Sequence, residues 1–114
     1  MKIPTLVGAM FVAGSMFALP ATAIAATSWE GSDYSYDSAS PTGSKTMYTC
    51  DMESDSRHVY AEYQLRSGEW SSVTDGNGAN NGCASRGPYS GIVQHRTCEA
   101  IDFYPDACGS YVYP

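Results

Sequence analysis

Alternation of apolar and polar residues is the clearest pattern in the chain. In the stretch HVYAEYQLR, residues 58–66, the apolar side chains of Val59, Ala61, Tyr63 and Leu65 fall on one face. This period of two predicts a half-buried β-strand. A sustained helical period of 3.6 is absent, because glycine, serine, asparagine and proline interrupt every long window.

The same alternation predicts a hairpin. Ser67-Gly68 is a tight-turn pair, and a second strand-like stretch, EWSSVTD at 69–75, follows it. If Ser67 and Gly68 form a two-residue loop, Leu65 lies opposite Trp70. That aliphatic–aromatic pair would help to fix the register.

Three further stretches have strand-like composition: residues 46–52, 91–103 and 108–114. No helical pattern separates them. The arrangement predicts an all-β domain over residues 46–114, built as a small antiparallel sheet, sandwich or barrel.

The N-terminus has the pattern of an export signal. Lys2 precedes an apolar run over 3–19, Pro20 breaks the run, and the small residues Ala23-Ile24-Ala25 follow. This predicts a signal peptide over residues 1–25 and a secreted, extracellular protein that is free of the membrane after cleavage. A membrane-spanning helix is the alternative, since the run approaches the length that crosses a bilayer.

Residues 26–45, here called the leader, are rich in serine, glycine and aspartate and lack a sustained apolar period. Such a composition predicts a flexible segment. Trp29, Tyr34 and Tyr36 are the side chains through which it would contact the domain.

Charge excludes several classes of partner. Five basic and twelve acidic residues follow the predicted cleavage site, which gives a net charge of −7 with neutral histidines. A field of that sign repels phosphate backbones and anionic lipid surfaces. Nucleic acid and anionic membranes are therefore disfavoured as partners, whereas basic protein surfaces and sugars are not.

The cysteine count predicts covalent cross-links. An even number of cysteines in a short exported chain is typical of disulfides, and the four here predict two bridges. A zinc site would need closer cysteine pairs, so we expect no metal and no cofactor. Three pairings are possible, and we favour the two that join neighbours along the chain: Cys50–Cys83 and Cys98–Cys108.

The stretch TDGNGANNGC, residues 74–83, has some features of a calcium loop. Counted from Asp75 as position 1, Asn77 supplies an oxygen at position 3, but Ala79 and Arg86 occupy positions 5 and 12, which an EF-hand fills with oxygen ligands. Glycines and asparagines so close together are typical of a connection with positive φ angles. A weak, non-EF calcium site on Asp75 and Asn77 stays open.

Catalytic motifs are weak. His58 and His95 share strand faces with Glu62 and Glu99, but four strand residues, about 13 Å, separate each pair. No GxSxG motif is present. We therefore expect a protein that is not an enzyme. A small hydrolase or nuclease built on these histidines is the alternative, since the two histidines, or His95 and Glu62, could still meet across strands.

Tyrosines are the more prominent candidates, because all nine follow the predicted cleavage site. Tyr60 lies on the polar face of its strand, and Tyr111 and Tyr113 lie near the C-terminus. Tyrosine offers apolar area and a hydroxyl at low entropic cost, which favours binding of a protein or a carbohydrate. Tyrosine also suits half-buried strands of small sheets, and that simpler role stays open.

The stretch between the first and last cysteines contains several short motifs: Cys50-Asp51, VYAEY at 59–63, Asp75-Gly76, GIVQHRTCE at 91–99 and the final Cys108. On these motifs it resembles small secreted, disulfide-bonded proteins of actinomycete bacteria. The resemblance implies an exported β domain with two disulfides and carries over no catalytic residue.

The chain is also similar to secreted α-amylase inhibitors of the same bacteria, which are small, all-β and held by two disulfides. Their inhibitory Trp-Arg-Tyr triplet is missing here, because Trp29 in SWEGSDY is followed by neither arginine nor tyrosine. An enzyme inhibitor of that type is the other alternative function.

Overall fold

The computed structural model describes residues 23–76 and 82–114, and it is all-β. Two antiparallel sheets of four strands pack face to face as a sandwich. Sheet A has the order β1-β2-β3-β6, and sheet B has the order β5-β4-β7-β8. The strands are β1 (Ala23–Glu30), β2 (Asp33–Ala39), β3 (Lys45–Cys50), β4 (Val59–Leu65), β5 (Trp70–Asp75), β6 (Ala84–Tyr89), β7 (Ile92–Glu99) and β8 (Ala107–Cys108).

The prediction of an all-β fold with two disulfides is thus confirmed. Strands β4, β5 and β7 lie within the stretches predicted from the sequence, and β3 begins one residue before the stretch predicted for it. Within the described part of the chain, no helix has the length and apolar character needed to cross a bilayer.

The prediction of a flexible leader over 26–45 was wrong. Most of the leader lies in β1 and β2, which pair with each other, and β2 also pairs with β3. Inward-facing Asp33, Ser35 and Asp37 are fully buried, while Tyr34 and Tyr36 face outward. The alternation was present in DYSYD, but its buried positions are polar, so it lacked the apolar face by which strands are usually recognised.

The N-terminal part of the predicted signal peptide, residues 1–22, lies outside the described residues. Ala23-Ile24-Ala25 forms the start of β1, where the pairing with β2 shifts register between Ile24 and Ala26. Residues 26–30 keep their pairing with β2 on the C-terminal side of this irregularity.

Strand β6, Ala84–Tyr89, was also missed. Its sequence ASRGPY contains Gly87 and Pro88, which are unfavourable inside a sheet. The strand lies at the edge of sheet A, where a residue without an N–H is tolerated because one side of the strand is unpaired.

The hairpin between β4 and β5 forms, but its predicted register was wrong. Trp70 pairs with Gln64 and not with Leu65. The backbone bonds Leu65 N–H to Glu69 C=O and Gly68 N–H to Leu65 C=O close a three-residue loop. Gly68 has a φ of +96° and therefore occupies the left-handed position that ends this loop. Ser67 does not have to adopt a positive φ.

The largest cluster of buried apolar side chains described in the structure is small. Tyr63 is its largest side chain, and the hydroxyls of Tyr63 and Tyr89 are joined by a 2.6 Å hydrogen bond. Burial raises the pKa of Tyr63 to about 12, so the ring stays neutral in the core. The buried members of the cluster are Met47, Ala61, Tyr63, Val73 and Ile92.

Hydrogen-bonded polar side chains share the interior with these apolar residues. His95 Nε2 lies 3.0 Å from Asp37 Oδ1, and Lys45 Nζ donates to Asp37 Oδ2 at 2.9 Å. Burial alone would raise the pKa of Asp37, but the bonds with His95 and Lys45 outweigh it and lower the pKa. A charged carboxylate is thereby held between the sheets with partners on both oxygens.

Each sheet carries its own disulfide. Cys50–Cys83 joins the end of β3 to the residue before β6 in sheet A, and Cys98–Cys108 joins β7 to β8 in sheet B. The pairing favoured from the sequence is confirmed, and all four cysteines are bonded.

Candidate functional site

The outer face of sheet B combines exposed aromatic rings with fixed charges. Strand alternation directs Tyr60, Glu62 and Gln64 of β4 away from the core, and Trp70 and Ser72 of β5 lie beside them. These side chains point outward because Val59, Ala61 and Tyr63, the alternate residues of β4, fill the interior.

Glu62 is the centre of a hydrogen-bonded network on this face. Its Oε1 accepts from Arg96 Nε at 2.9 Å and from the Tyr111 hydroxyl at 2.8 Å. The Arg96 guanidinium also lies 4.6 Å from the centroid of the Tyr111 ring. Burial and the hydrogen bond to Glu62 raise the pKa of Tyr111. The network fixes the orientation of all three side chains.

Trp70 is the exposed aromatic residue of this face. The residue is 48% exposed, and β5 is an edge strand of sheet B. The indole meets the Tyr111 ring edge to face, with the centroids 5.9 Å apart. This contact leaves much of the indole open to a ligand.

Beside Trp70 the surface forms an open depression of about 390 Å³. Arg86 reaches it from sheet A and donates from Nη1 to the Ser72 carbonyl at 2.9 Å. Positive and negative groups therefore border the same space. The residues that line the depression are Tyr60, Glu62, Trp70, Ser71, Ser72 and Arg86.

Tyr60 borders the depression with its hydroxyl held in place. The hydroxyl donates a short hydrogen bond to the carboxylate of Asp106. Burial and this hydrogen bond raise the pKa of Tyr60 to about 12, so the phenol is neutral at physiological pH. It can present a rigid ring and a fixed polar edge to a ligand.

Of the candidate tyrosines, the structure places Tyr60 and Tyr111 on this one face: Glu62, two residues after Tyr60 in β4, accepts the hydrogen bond of the Tyr111 hydroxyl. Tyr113 is 69% exposed, two residues beyond Tyr111. Sequence reasoning did not assign Trp70 or Arg86 to a site. The sequence predicted the strand that contains Trp70, but it did not predict β6, the strand that contains Arg86.

The histidines are not brought together. His95 is fully buried, with Nε2 facing Asp37, whereas His58 is exposed before the start of β4. His95 pairs with Tyr63, five residues from His58 along β4, a separation of roughly 17 Å. Glu62 lies on the opposite face of sheet B from His95, so these two side chains cannot meet either.

The loop proposed for weak calcium binding is only partly described. Asp75 is fully buried, and its Oδ2 accepts the backbone N–H of Asp51 at 3.0 Å. Asn77 lies outside the described residues. A calcium site on this pair stays a prediction.

The outer face of sheet A carries a second set of aromatic side chains, here called the aromatic ladder: Trp29, Tyr34, Tyr36 and Tyr48. The rings of Tyr36 and Tyr48 are nearly parallel, with centroids 4.8 Å apart and planes at 9°. Trp29 and Tyr34 meet across β1 and β2 at 4.9 Å. The tyrosine rings thus stack face to face on one another.

No protein-family model, curated protein or solved structure matches this chain. The resemblance to actinomycete secreted proteins stays a prediction.

Proposed function

We propose that the protein is secreted, is not an enzyme, and binds a neutral carbohydrate in the depression of sheet B. One observation carries the proposal: an exposed indole, Trp70, borders a small open space that also holds fixed hydrogen-bonding groups. Ligand sites commonly combine aromatic walls with a few oriented polar groups, and they occupy about 300–1,000 Å³.

The charges of the depression favour a ligand without net charge. Glu62 is an acceptor, Arg86 is a donor, and the Tyr60 hydroxyl is neutral. Sugars present many hydroxyls that donate and accept, and their apolar C–H faces suit the electron-rich face of an aromatic ring. A protein partner would need roughly 800 Å² on this side, a larger and flatter contact than the depression provides.

Export is supported by the two disulfides and by the position of the expected cleavage. Disulfides persist in oxidising compartments, which include the extracellular space. Cleavage after Ala25 would fall at the irregularity of β1 and would leave the pairing of residues 26–30 with β2 intact. N-terminal sequencing of protein from culture fluid should begin at Ala26; retention of residues 1–25 would contradict the export proposal.

Burial of one histidine supports a role without catalysis. His95 is enclosed between the sheets, and His58 lies far from it, so no described histidine borders the depression. Substitution of His58 by alanine should leave ligand binding unchanged. Loss of a hydrolytic activity in His58→Ala, with the fold intact, would favour the enzyme alternative.

The binding test uses the fact that the chain has two tryptophans. In Trp29→Phe, Trp70 is the sole indole, and we expect its fluorescence to change on titration with neutral oligosaccharides of glucose, mannose, galactose or N-acetylglucosamine. Trp70→Ala should weaken binding roughly 30-fold or more, the loss typical of a central aromatic contact. Tyr60→Ala should weaken it less.

Trp29→Ala is the matched control, because Trp29 is exposed to a similar extent but lies on the other sheet. It should bind like the original protein. Equal losses in Trp29→Ala and Trp70→Ala would contradict the assignment of the site. If the protein is retained on none of the neutral polysaccharides starch, cellulose and chitin, that result would contradict the carbohydrate proposal itself.

A further inference from the structure

Five carboxylates converge at one end of the sandwich, away from the depression. They come from three separate parts of the chain: the end of β1 with the start of β2, the loop between β3 and β4, and the end of β7. We call these residues the acidic cluster: Glu30, Asp33, Glu53, Asp55 and Glu99. Within the described residues, the ion pair to this cluster comes from Arg57, whose Nη1 lies 3.7 Å from Glu99 Oε1.

Two oxygens of the cluster are buried without a hydrogen-bond partner, namely Asp33 Oδ2 and Glu99 Oε2. The Asp33 side chain is completely buried, and Glu99 is 6% exposed. The other Asp33 oxygen accepts the backbone N–H of Met52 at 2.8 Å, so this carboxylate is held in place with one oxygen still to be satisfied. A buried carboxylate oxygen without a partner is costly, and native proteins normally give such a group a hydrogen bond or a cation.

The oxygens are spaced as ligands of one ion would be. One carboxylate oxygen each from Glu30, Asp33 and Glu99 lies within 4.8 Å of the other two. Two oxygens bound to the same Ca²⁺ at about 2.4 Å each are at most about 4.8 Å apart. Glu53, Asp55 and Glu99 form a second such group, in which one carboxylate oxygen of each also lies within 4.8 Å of the other two.

The donor atoms select the kind of cation. All of them are carboxylate oxygens, which hard cations prefer, whereas zinc and copper sites normally include histidine or cysteine. Mg²⁺ demands nearly ideal octahedral geometry and keeps most of its water. Ca²⁺ accepts irregular arrangements of six to eight oxygens, so it fits carboxylates that come from a turn, a loop and a strand end.

We propose that Glu30, Asp33 and Glu99 bind a Ca²⁺ ion, with Glu53 and Asp55 adding negative charge beside Glu99. The ion would join the β1–β2 turn to the end of β7 and thereby link sheet A to sheet B. It would also neutralise the repulsion that the five carboxylates otherwise exert on the folded state. This site is separate from the depression and does not depend on the carbohydrate proposal.

Thermal unfolding at about pH 8, where carboxylates are normally ionised, tests the proposal directly. With EDTA as the reference, about 5 mM CaCl₂ should raise the unfolding temperature by roughly 5–20 °C, given the affinity range of extracellular calcium sites. The same concentration of MgCl₂ should raise it much less. Equal unfolding temperatures in EDTA and CaCl₂ would overturn the proposal, and so would equal effects of the two cations.

Substitutions locate the ion. Asp33→Asn and Glu99→Gln should each lose most of the calcium-dependent rise, and in EDTA each should unfold at a higher temperature than the original protein because repulsion is reduced. Glu69→Gln, at an exposed carboxylate in the β4–β5 hairpin, is the control and should keep the full rise. A calcium-dependent rise that is the same in Glu99→Gln and Glu69→Gln would refute the site.

Glu99 is buried, so its variant has the greatest risk of folding poorly. Glu30→Gln provides the second test, because Glu30 is only half-buried. Calorimetric titration with CaCl₂ should show one site in the original protein and at least a tenfold weaker site in Glu30→Gln. Unchanged affinity in Glu30→Gln would contradict its assignment as a ligand.

Discussion

The two sheets use their outer aromatic side chains differently. On sheet A, Tyr34, Tyr36 and Tyr48 of the aromatic ladder stack on one another, so the ring faces are already occupied. On sheet B, Trp70 touches one ring by an edge contact and remains open toward a depression with charged walls. Both faces are aromatic, but it is the exposed ring of Trp70 on sheet B that borders a depression lined by oriented polar groups.

The inner faces of the sheets are equally unlike. β4 contributes Val59, Ala61 and Tyr63 to the core, whereas β2 contributes Asp33, Ser35 and Asp37. Sheet A therefore gains little from apolar burial by β2, and its stacked outer rings and internal hydrogen bonds replace part of that stabilisation. Aromatic composition alone does not identify a binding face; the surroundings of the rings do.

Loss of a disulfide should have the largest effect on stability. The bridge of sheet A, Cys50–Cys83, closes a longer loop than the bridge of sheet B, with separations of 33 and 10 residues. The chain-entropy model gives about 3.7 kcal/mol for the longer loop and about 2.7 kcal/mol for the shorter. Urea unfolding of the two double alanine variants measures the difference. A larger loss for the Cys98–Cys108 variant would show that loop length does not govern the order.

Removal of Asp37 should cost about 3 kcal/mol, because Asp37→Ala leaves His95 and Lys45 without their buried partner. Glu62→Ala removes a comparable ion pair from the outer face of sheet B, where solvent screens it, and should cost about 1 kcal/mol or less. Urea unfolding of both variants gives the comparison. Similar losses in the two variants would contradict the view that sheet A depends on its polar interior.

Two aromatic substitutions test the outer faces against each other. Tyr36→Ala removes ring contacts with both Tyr34 and Tyr48 and should destabilise the protein by about 2 kcal/mol, without weakening ligand binding. Trp70→Ala removes one edge contact and should cost about 1 kcal/mol or less, while ligand binding weakens roughly 30-fold or more. Chemical denaturation and the fluorescence titration together decide whether the two roles are separate. If Tyr36→Ala weakened ligand binding and Trp70→Ala instead lowered stability, the two faces would have the opposite roles.

We also expect a dependence of stability on pH that arises where the sheets meet. Burial chiefly raises the pKa of Asp33 to about 6, and the Asp55 carboxyl followed by burial raises that of Glu99 to about 7. Both values exceed the ordinary 3.8 and 4.5, so the folded state binds more protons than the unfolded state between about pH 4 and 7.

In EDTA, stability should therefore fall as pH rises through that window, and Asp33→Asn should flatten the dependence. The pKa of Asp37 is lowered, so this carboxyl loses its stabilising charge only below that window. Its effect on stability has the opposite sign, because stability falls as the pH falls. Unfolding temperatures measured from about pH 4 to pH 8 give the profile. A rise in stability with pH over this range would contradict the burial of uncompensated carboxylates.

Much of the fold could be predicted from the sequence, because local pattern and chain distance determine it. Alternation in 58–66 predicted β4, the turn residues predicted the hairpin, and the spacing of the cysteines favoured the observed pairing. The hairpin register could not be fixed in this way, since two- and three-residue loops at Gly68 differ by one residue and both suit the local sequence.

The sequence by itself determined the all-β class, the hairpin and the outward position of Tyr60, because each depends on neighbours along the chain. Only the tertiary structure decided that the polar side of β2 faces inward, since alternation defines two faces but not which one meets a partner sheet. It also decided that Trp70 and Arg86 border one depression and that Glu30 meets Glu99. Those pairs are far apart in sequence, and their proximity follows from how the two sheets are stacked.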